Sequence, residues 1–502
     1  MFIFEQLTQH AQTQPDKVIT SFQNRETTYG AFFQKAVNLA GYFQGKGYKK
    51  EDIIALYLQN SDDFLIVYYA CQLGGFAVLP INTKLAPPEV EYIFNHSEAK
   101  ALIYDVRLKD VLDQMETPLT RFQDLLEVGG NESFRTVIAD DYLSYTKPEV
   151  REEDTAVIFY TSGTTGKPKG VMLSAGNVRA IANIWAESLE ITSSDRMHIV
   201  TPLFHCAAAH CFSIPTVLRG GTVVIEEAFS PEKTLETMER EEVTIFFGVP
   251  AIYSILLNTP KLAQTNLSKL RLFTYGAAPM PYELVKKVKT LYPGVKVQNL
   301  YGQTENSPGA TTLKDHYALD KIGSVGEPLP HTQVRVVDVY GQDVPVGEVG
   351  EIIVKGPQVM KGYLKNEEAT RDTLKDGWMY SGDLGRLDED GLLYIVDRKK
   401  DMMIRGGENV YPVEIEEVLY AMDEILEAAV VGVPHEVYGE VPKAYVVLKE
   451  GKSLSEEDVI SYCRTKLAKY KLPAEVEFLD ALPRNASGKV LKHTLKPTVN
   501  AR

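Results

Sequence analysis

Between residues 53 and 302 the chain keeps returning to one phrase: a short β-rich apolar run, a Gly, Pro or polar loop, then a helical pattern. IIALYL from Ile53 leads into DFLIVYYACQL, GFAVLPI starts at Gly75, and a further helical stretch ends before ALIYD. The phrase recurs at AVIFYTSG, MHIVTPLF, TVVIEEA, TIFFGVP, LRLFTYGAA and VKVQNLYG. Few architectures accept such a rhythm, because parallel strands need crossover connections and strands buried on both faces need helices to cover them. The expectation is an α/β protein whose ligands gather at the carboxyl ends of its strands.

From about Gly323 to Val396 the pattern changes to short β runs with frequent turns, such as QVRVVDVYGQDVP and GEVGEIIVKGP, which predicts a smaller β-rich subdomain. The basic, polar DRKKD at 397–401 interrupts the hydrophobic pattern. A helix (VEIEEVLYAM), strands (EAAVVGVP, KAYVVLKE), a second helix (EEDVISYCRTKLAK) and a basic tail follow. The expected organisation is a large domain over 1–397, with the β-rich subdomain at about 323–396, and a small α+β domain over 398–502 behind a hinge. A chain of 502 residues, 44% hydrophobic and 24% charged, has the length and apolar content for two domains.

The formal charge of −15 argues against general nucleic-acid binding and against electrostatic attachment to anionic membranes. Any anionic ligand must find local positive charge. Cys71, Cys206, Cys211 and Cys463 are dispersed, with neither CxxC spacing nor metal-ligand clustering, which points to a reducing compartment. MFIFEQLTQH has no basic segment leading into a long apolar one, and no window offers the roughly 18 apolar residues of a membrane span. The cytoplasm is the expected location; peripheral membrane contact and a homodimer stay open.

The densest chemical signal is YTSGTTGKPKG at 160–170, directly after the apolar AVIF. Gly163, Gly166 and Gly170 permit backbone conformations and close approaches that a Cβ would forbid. Ser162, Thr164 and Thr165 donate hydrogen bonds and Lys167 supplies charge, so the loop can wrap phosphates. It is not the GxxxxGK[ST] loop of the P-loop NTPases.

The loop resembles the signature of the adenylate-forming superfamily of acyl-CoA synthetases, adenylation domains and luciferases. GAAPM (276–280), YGQTE (301–305), YSGDLG (380–385), DRKKDMMIRGGENVYPVEIE (397–416) and PRNASGK (483–489) follow in the family's order, so the resemblance spans nearly the whole chain. It implies ATP, Mg²⁺ and coenzyme A as cofactors and assigns roles by position. Thr161 and the loop Ser162–Lys167 hold phosphate; Tyr301 and Gly302, with Gly276, Ala277 and Ala278, accept adenine. Thr304 holds the α-phosphate, and Glu305, with Thr161, the metal. Asp383 matches the carboxylate that accepts both ribose hydroxyls, and Arg398 a contact to ribose or phosphate. Lys489 matches the catalytic lysine of adenylation, Lys400 the hinge position, and Gly406 and Gly407 a passage for the pantetheine arm.

The implied chemistry has two half-reactions: a carboxylate attacks the α-phosphorus of ATP and expels pyrophosphate, then a thiolate attacks the acyl-adenylate. No protein nucleophile is required, in keeping with the absence of a GxSxG elbow. In the family the segment Phe204-His205-Cys206-Ala207-Ala208-Ala209-His210 lines the acid site. Amino-acid-activating relatives keep an Asp there, and this chain has none. No arginine stands in the segment to hold a second carboxylate. The texture of DRKKDMMIRGGENVYP and VMKGYLKNEEAT resembles bacterial medium- and long-chain fatty acid ligases. Aryl acids, loading of a carrier protein in trans, and a non-catalytic nucleotide sensor are the competing readings.

Overall fold

The computed structural model describes residues 1–130, 133–139, 145–161, 167–406, 408–484 and 490–496. It divides into two compact units, Met1–Val334 with Ile353–Tyr380, and Arg335–Ile352 with Ser381–Arg502. No helix among the described residues is long and apolar enough to cross a membrane.

The first unit contains two largely parallel sheets. In one, Asp124–Val128, Ala101–Asp105, Ile53–Tyr57, Ala77–Pro80 and Thr155–Thr161 lie side by side and parallel. Lys169–Ser174 and the short Gly362–Tyr363 continue that sheet antiparallel. In the other, Val18–Phe22, Thr222–Ile225, Arg196–Ile199, Ile245–Gly248, Leu272–Gly276 and Lys296–Tyr301 run parallel, flanked by the antiparallel Arg25–Thr28 and Thr311–Leu313.

Strand alternation sorts the side chains. Ile54, Leu56, Val78, Val157 and Phe159 of the first sheet share one core with Met197, Ile199, Val223, Ile225, Ile245 and Phe247 of the second. Ala55, Tyr57, Leu79 and Ile158 face the opposite way, as do Val224, Phe246, Phe273 and Val297. Helices Tyr29–Gly45, Asp62–Gly74 and Ala175–Ser188 contribute Phe32, Phe64, Tyr68 and Trp185 to the shared core and so lie between the sheets.

Helix Asp62–Gly74 is the segment DFLIVYYACQL with its flanks, and all of its residues are buried. An apolar helix without a polar stripe needs partners all round, which a site between two sheets supplies. Its start is set by Ser61, whose side chain accepts from Phe64 N, with Asp62 and Asp63 in the first turn; it stops at Gly75, which takes φ +73. The strand expected over MHIVTPLF ends at Ile199, ahead of Pro202.

Gln333–Val337, Gly350–Lys355, Trp378–Leu387 and Leu393–Arg398 are adjacent in that order within a larger sheet, and the first three have residues in both units. A further sheet is ordered Glu408–Val410, Met403–Arg405, Gly439–Leu448, Ile425–His435, with Glu475–Phe478 on Gly439–Leu448. Helices Pro412–Tyr420 and Glu456–Arg464 contribute Ile415, Leu419, Val459 and Cys463 to its core. Strands Met403–Arg405 and Glu408–Val410 pair antiparallel. Met403 and Val410 pair and are both buried, and Gly406 supplies the turn at φ +61.

Candidate active site

The parallel strands of the second sheet deliver the candidate residues at their carboxyl ends. Leu272–Gly276 and Lys296–Tyr301 are neighbours with Gly276 opposite Leu300. A Cβ on Gly276 would stand 2.5 Å from Leu300 O, so only glycine lets the strands meet here. Ala277 then turns at φ +66, and both Ala277 and Ala278 are exposed, which leaves an open ledge of backbone beside Tyr301. Gly302 is equally obligatory, since a Cβ there would lie 2.5 Å from Pro308 C.

Thr304 and Glu305 sit in a tight turn held from several sides. Asn306 Oδ1 accepts from Gln303 N at 2.8 Å and Gly309 N at 3.0 Å. Buried Ser307, at φ +69, donates to Gln358 O, and Gln358 Nε2 donates to Gly309 O and to Thr332 Oγ1. Met360 N donates to Glu305 O. Backbone strain held by surrounding bonds is a common mark of a functional turn.

Glu305 Oε1 accepts from the phenol of Tyr363 at 2.9 Å, and Oε2 has no partner among the described residues. Burial, and then the Glu305 carboxylate, raise the Tyr363 phenol above its ordinary value, so it remains a donor. Tyr363 belongs to the edge strand of the first sheet, opposite Val171. Lys169 Nζ lies 4.9 Å from the centre of its ring, and Lys169 is the register partner of Thr161. Thr161, Lys169, Tyr363 and Glu305 thus form a chain of neighbours that joins the ends of both sheets. One carboxylate oxygen left open beside a hydroxyl suits Mg²⁺, which takes one or two protein oxygens and completes its shell with phosphate and water.

Lys167 is exposed, its Nζ 5.8 Å from the centre of the Tyr92 ring. Ser162, Gly163, Thr164, Thr165 and Gly166 lie outside the described residues, as do Gly407 and Lys489.

His205 follows a turn closed by its own N–H to Pro202 O, and its ring stands 4.7 Å from that of Phe204. Burial, helped by the nearby Lys84 cation, lowers His205 to about 4. The next turns form a π-helix over Ala207–Ser213, in which Ser213 Oγ donates to Ala208 O. Cys211 Sγ reaches Pro308 O at 3.5 Å, tying this helix to the Glu305 turn. His210 is fully buried, which lowers it to about 3. Both imidazoles are therefore neutral at neutral pH.

In the second unit Asp383 and Arg398 are register partners on adjacent strands, joined by an ion pair of 2.7 Å from Arg398 Nε to Asp383 Oδ1. Lys400 is exposed in the turn that follows. Gly406 donates its N–H to Tyr438 O.

Tyr363, Gln358 and Asn306 escaped the reading of the sequence. VMKGYLKN drew notice only for its texture, and nothing local links it to a carboxylate 58 residues earlier.

Comparison with known proteins is consistent over the full length. The family described as AMP-binding enzyme matches residues 7–364, and the AMP-binding enzyme C-terminal domain matches residues 414–489. A feruloyl-CoA synthase of Amycolatopsis is 38% identical, covering 93% of this chain and 92% of that protein. A long-chain-fatty-acid–CoA ligase of Mycobacterium tuberculosis is also 38% identical, covering 94% and 93%. The solved o-succinylbenzoate CoA synthetase of Bacillus subtilis, in complex with its acyl-adenylate intermediate, superposes with a TM-score of 0.87 at 33% identity, covering 99% of this chain and 98% of that one. Its complex with ATP and magnesium ion gives the same score and identity, with 98% of each chain covered.

Proposed function

The chain belongs to the family of AMP-binding enzymes, and from that premise we propose that its substrate is an apolar monocarboxylic acid, a medium- or long-chain fatty acid. The protein is an AMP-forming acid–thiol ligase that makes acyl- or aryl-CoA from ATP and coenzyme A. Adenylation exchanges a poor leaving group for AMP, and the thiolate of coenzyme A then displaces it.

Glu305, oriented by Tyr363, is the proposed magnesium ligand together with Thr161, with Thr304 on the α-phosphate. Tyr301, Gly302 and the ledge Gly276–Ala278 are proposed to take adenine, and Asp383 with Arg398 the ribose. Lys167 and the loop 162–166 are proposed for the outer phosphates. Lys489 is proposed to meet the charge that develops during adenylation, Lys400 to act as the pivot between the half-reactions, and Gly406 and Gly407 to flank the pantetheine arm. The proposed boundary between the large and small domains stays at residues 397–398.

The acid class rests on one observation. Residues 201–218 carry no charged side chain, and both imidazoles among them are kept neutral by burial. A second charged group on the acid would find no charged partner within this segment itself and would be desolvated against it. Small Ala207, Ala208 and Ala209 beside Phe204 and Phe212 suit an alkyl chain. An aromatic acid is the second reading, favoured by the equal identity of the feruloyl-CoA synthase.

The test is pyrophosphate release with ATP, Mg²⁺ and coenzyme A across saturated acids of increasing length, with ferulate, benzoate and o-succinylbenzoate alongside. A maximum among the longer alkyl acids is expected. A maximum at ferulate would replace the alkyl reading, and preference for o-succinylbenzoate would overturn the monocarboxylic class.

A further inference from the structure

Asn60 occupies the corner between strand Ile53–Tyr57 and the buried helix Asp62–Gly74, and only 5% of it is exposed. Its amide is fully used. Nδ2 donates to Thr201 O at 2.9 Å and Glu226 O at 3.1 Å, while Oδ1 accepts from Leu203 N at 2.7 Å. These bonds run from the first sheet to the loops that follow two strands of the second. Thr201 and Leu203 are the residues just before Phe204 and His205.

The anchors are firm. Ser61 caps the helix beside Asn60, Arg25 pairs with Asp62, and Arg135 pairs with Asp63. Glu226 is fixed through its own carboxylate, which meets His198 Nε2 at 3.1 Å and Thr234 Oγ1 at 2.8 Å; His198 and Glu226 are both buried.

Two turns along the same helix, buried Tyr68 pairs its phenol with His210 Nε2 at 2.8 Å. His210 Nδ1 in turn meets Cys206 Sγ at 3.6 Å. The helix and the corner that leads into it therefore grip the segment Thr201–His210 at both ends, with Phe204 and His205 between the grips.

We infer that Asn60 and Tyr68 are positioning residues that set the acid specificity of this enzyme, by fixing where Phe204 and His205 stand relative to the Glu305 turn. The inference rests on the reading of the segment Phe204–His210 as lining the acid site. Neither side chain touches acid or nucleotide; each acts by holding backbone or imidazole in place. Misplacement of such a segment by about 1 Å is enough to cost two orders of magnitude in rate.

The experiment compares Asn60→Ala and Tyr68→Phe with the wild-type enzyme for KM of each acid, KM of ATP, kcat and thermal midpoint. Asn60→Ala leaves three backbone groups without their partner. Tyr68→Phe keeps the ring and volume and removes one hydroxyl, so it decides the matter alone if Asn60→Ala does not fold. The expected result is an acid KM raised about tenfold, a changed order of preference among acids, and an ATP KM unchanged within about twofold. A purely structural role would lower the thermal midpoint and scale kcat equally for every acid. That pattern, or unchanged acid KM values in a folded variant, overturns the inference. Wild-type enzyme that is inactive with every acid overturns the ligase reading itself, and an altered ATP KM with unaltered acid KM removes the acid-site assignment of the segment Phe204–His210.

Discussion

The hydrogen bond from Tyr363 to Glu305 gives the proposed metal site a support that is not itself a proposed ligand. A carboxylate fixed by one donor presents its second oxygen in a single direction, and without the donor it must be ordered at the moment of binding. Tyr363→Phe is expected to raise the Mg²⁺ concentration for half-maximal pyrophosphate release by about threefold to tenfold, the worth of one ordinary hydrogen bond. A magnesium titration at saturating ATP is the measurement, and a superimposable curve would deny Tyr363 this role. Glu305 stands out in the sequence through the local pattern YGQTE. Tyr363 does not, because the two sheets meet through residues that no local pattern connects.

Strand Leu393–Arg398 shows the same limit for a whole element. DRKKD reads as an interruption, yet Asp397 is only 4% exposed and its carboxylate accepts from Arg398 N at 2.6 Å and from Val413 N at 3.1 Å, at the start of helix Pro412–Tyr420. Burial raises Asp397 from 3.8 to about 6 against the lowering effects of these donors and of Lys492. The folded form therefore holds this proton more tightly than the unfolded chain, and its contribution to stability falls as pH rises from about 4 to about 6. Asp397→Asn keeps one acceptor oxygen and cannot titrate, so its thermal midpoint should vary less across that window than that of the wild type. An identical slope would assign the proton to another group. The flanking hairpin was missed for a related reason: only the pairing of Met403 with Val410 reveals strands that are too short to show an alternation.

Over residues 53–105 and 155–302 the alternation of strands and helices was readable, since each apolar run of period two or of all-round character states how many of its faces must be covered. What could not be read was which runs would share a core, and hence that Glu305, Tyr363 and Cys211 would come together. The division of labour between the half-reactions is a property of the full chain. Lys489→Ala is expected to abolish pyrophosphate release while largely sparing thioester formation from supplied acyl-adenylate, and Lys400→Pro to do the reverse. Single-turnover assays of each half-reaction separate the two, and equal loss in both steps for Lys489→Ala would refute its role. Helix Asp62–Gly74, finally, has no residue that faces water. It has no position where a mutation goes unfelt, because every side chain in it packs against the surrounding core. A change of acid preference made from within this helix would come with a change in stability, whereas one made in the exposed strand-end loops need not.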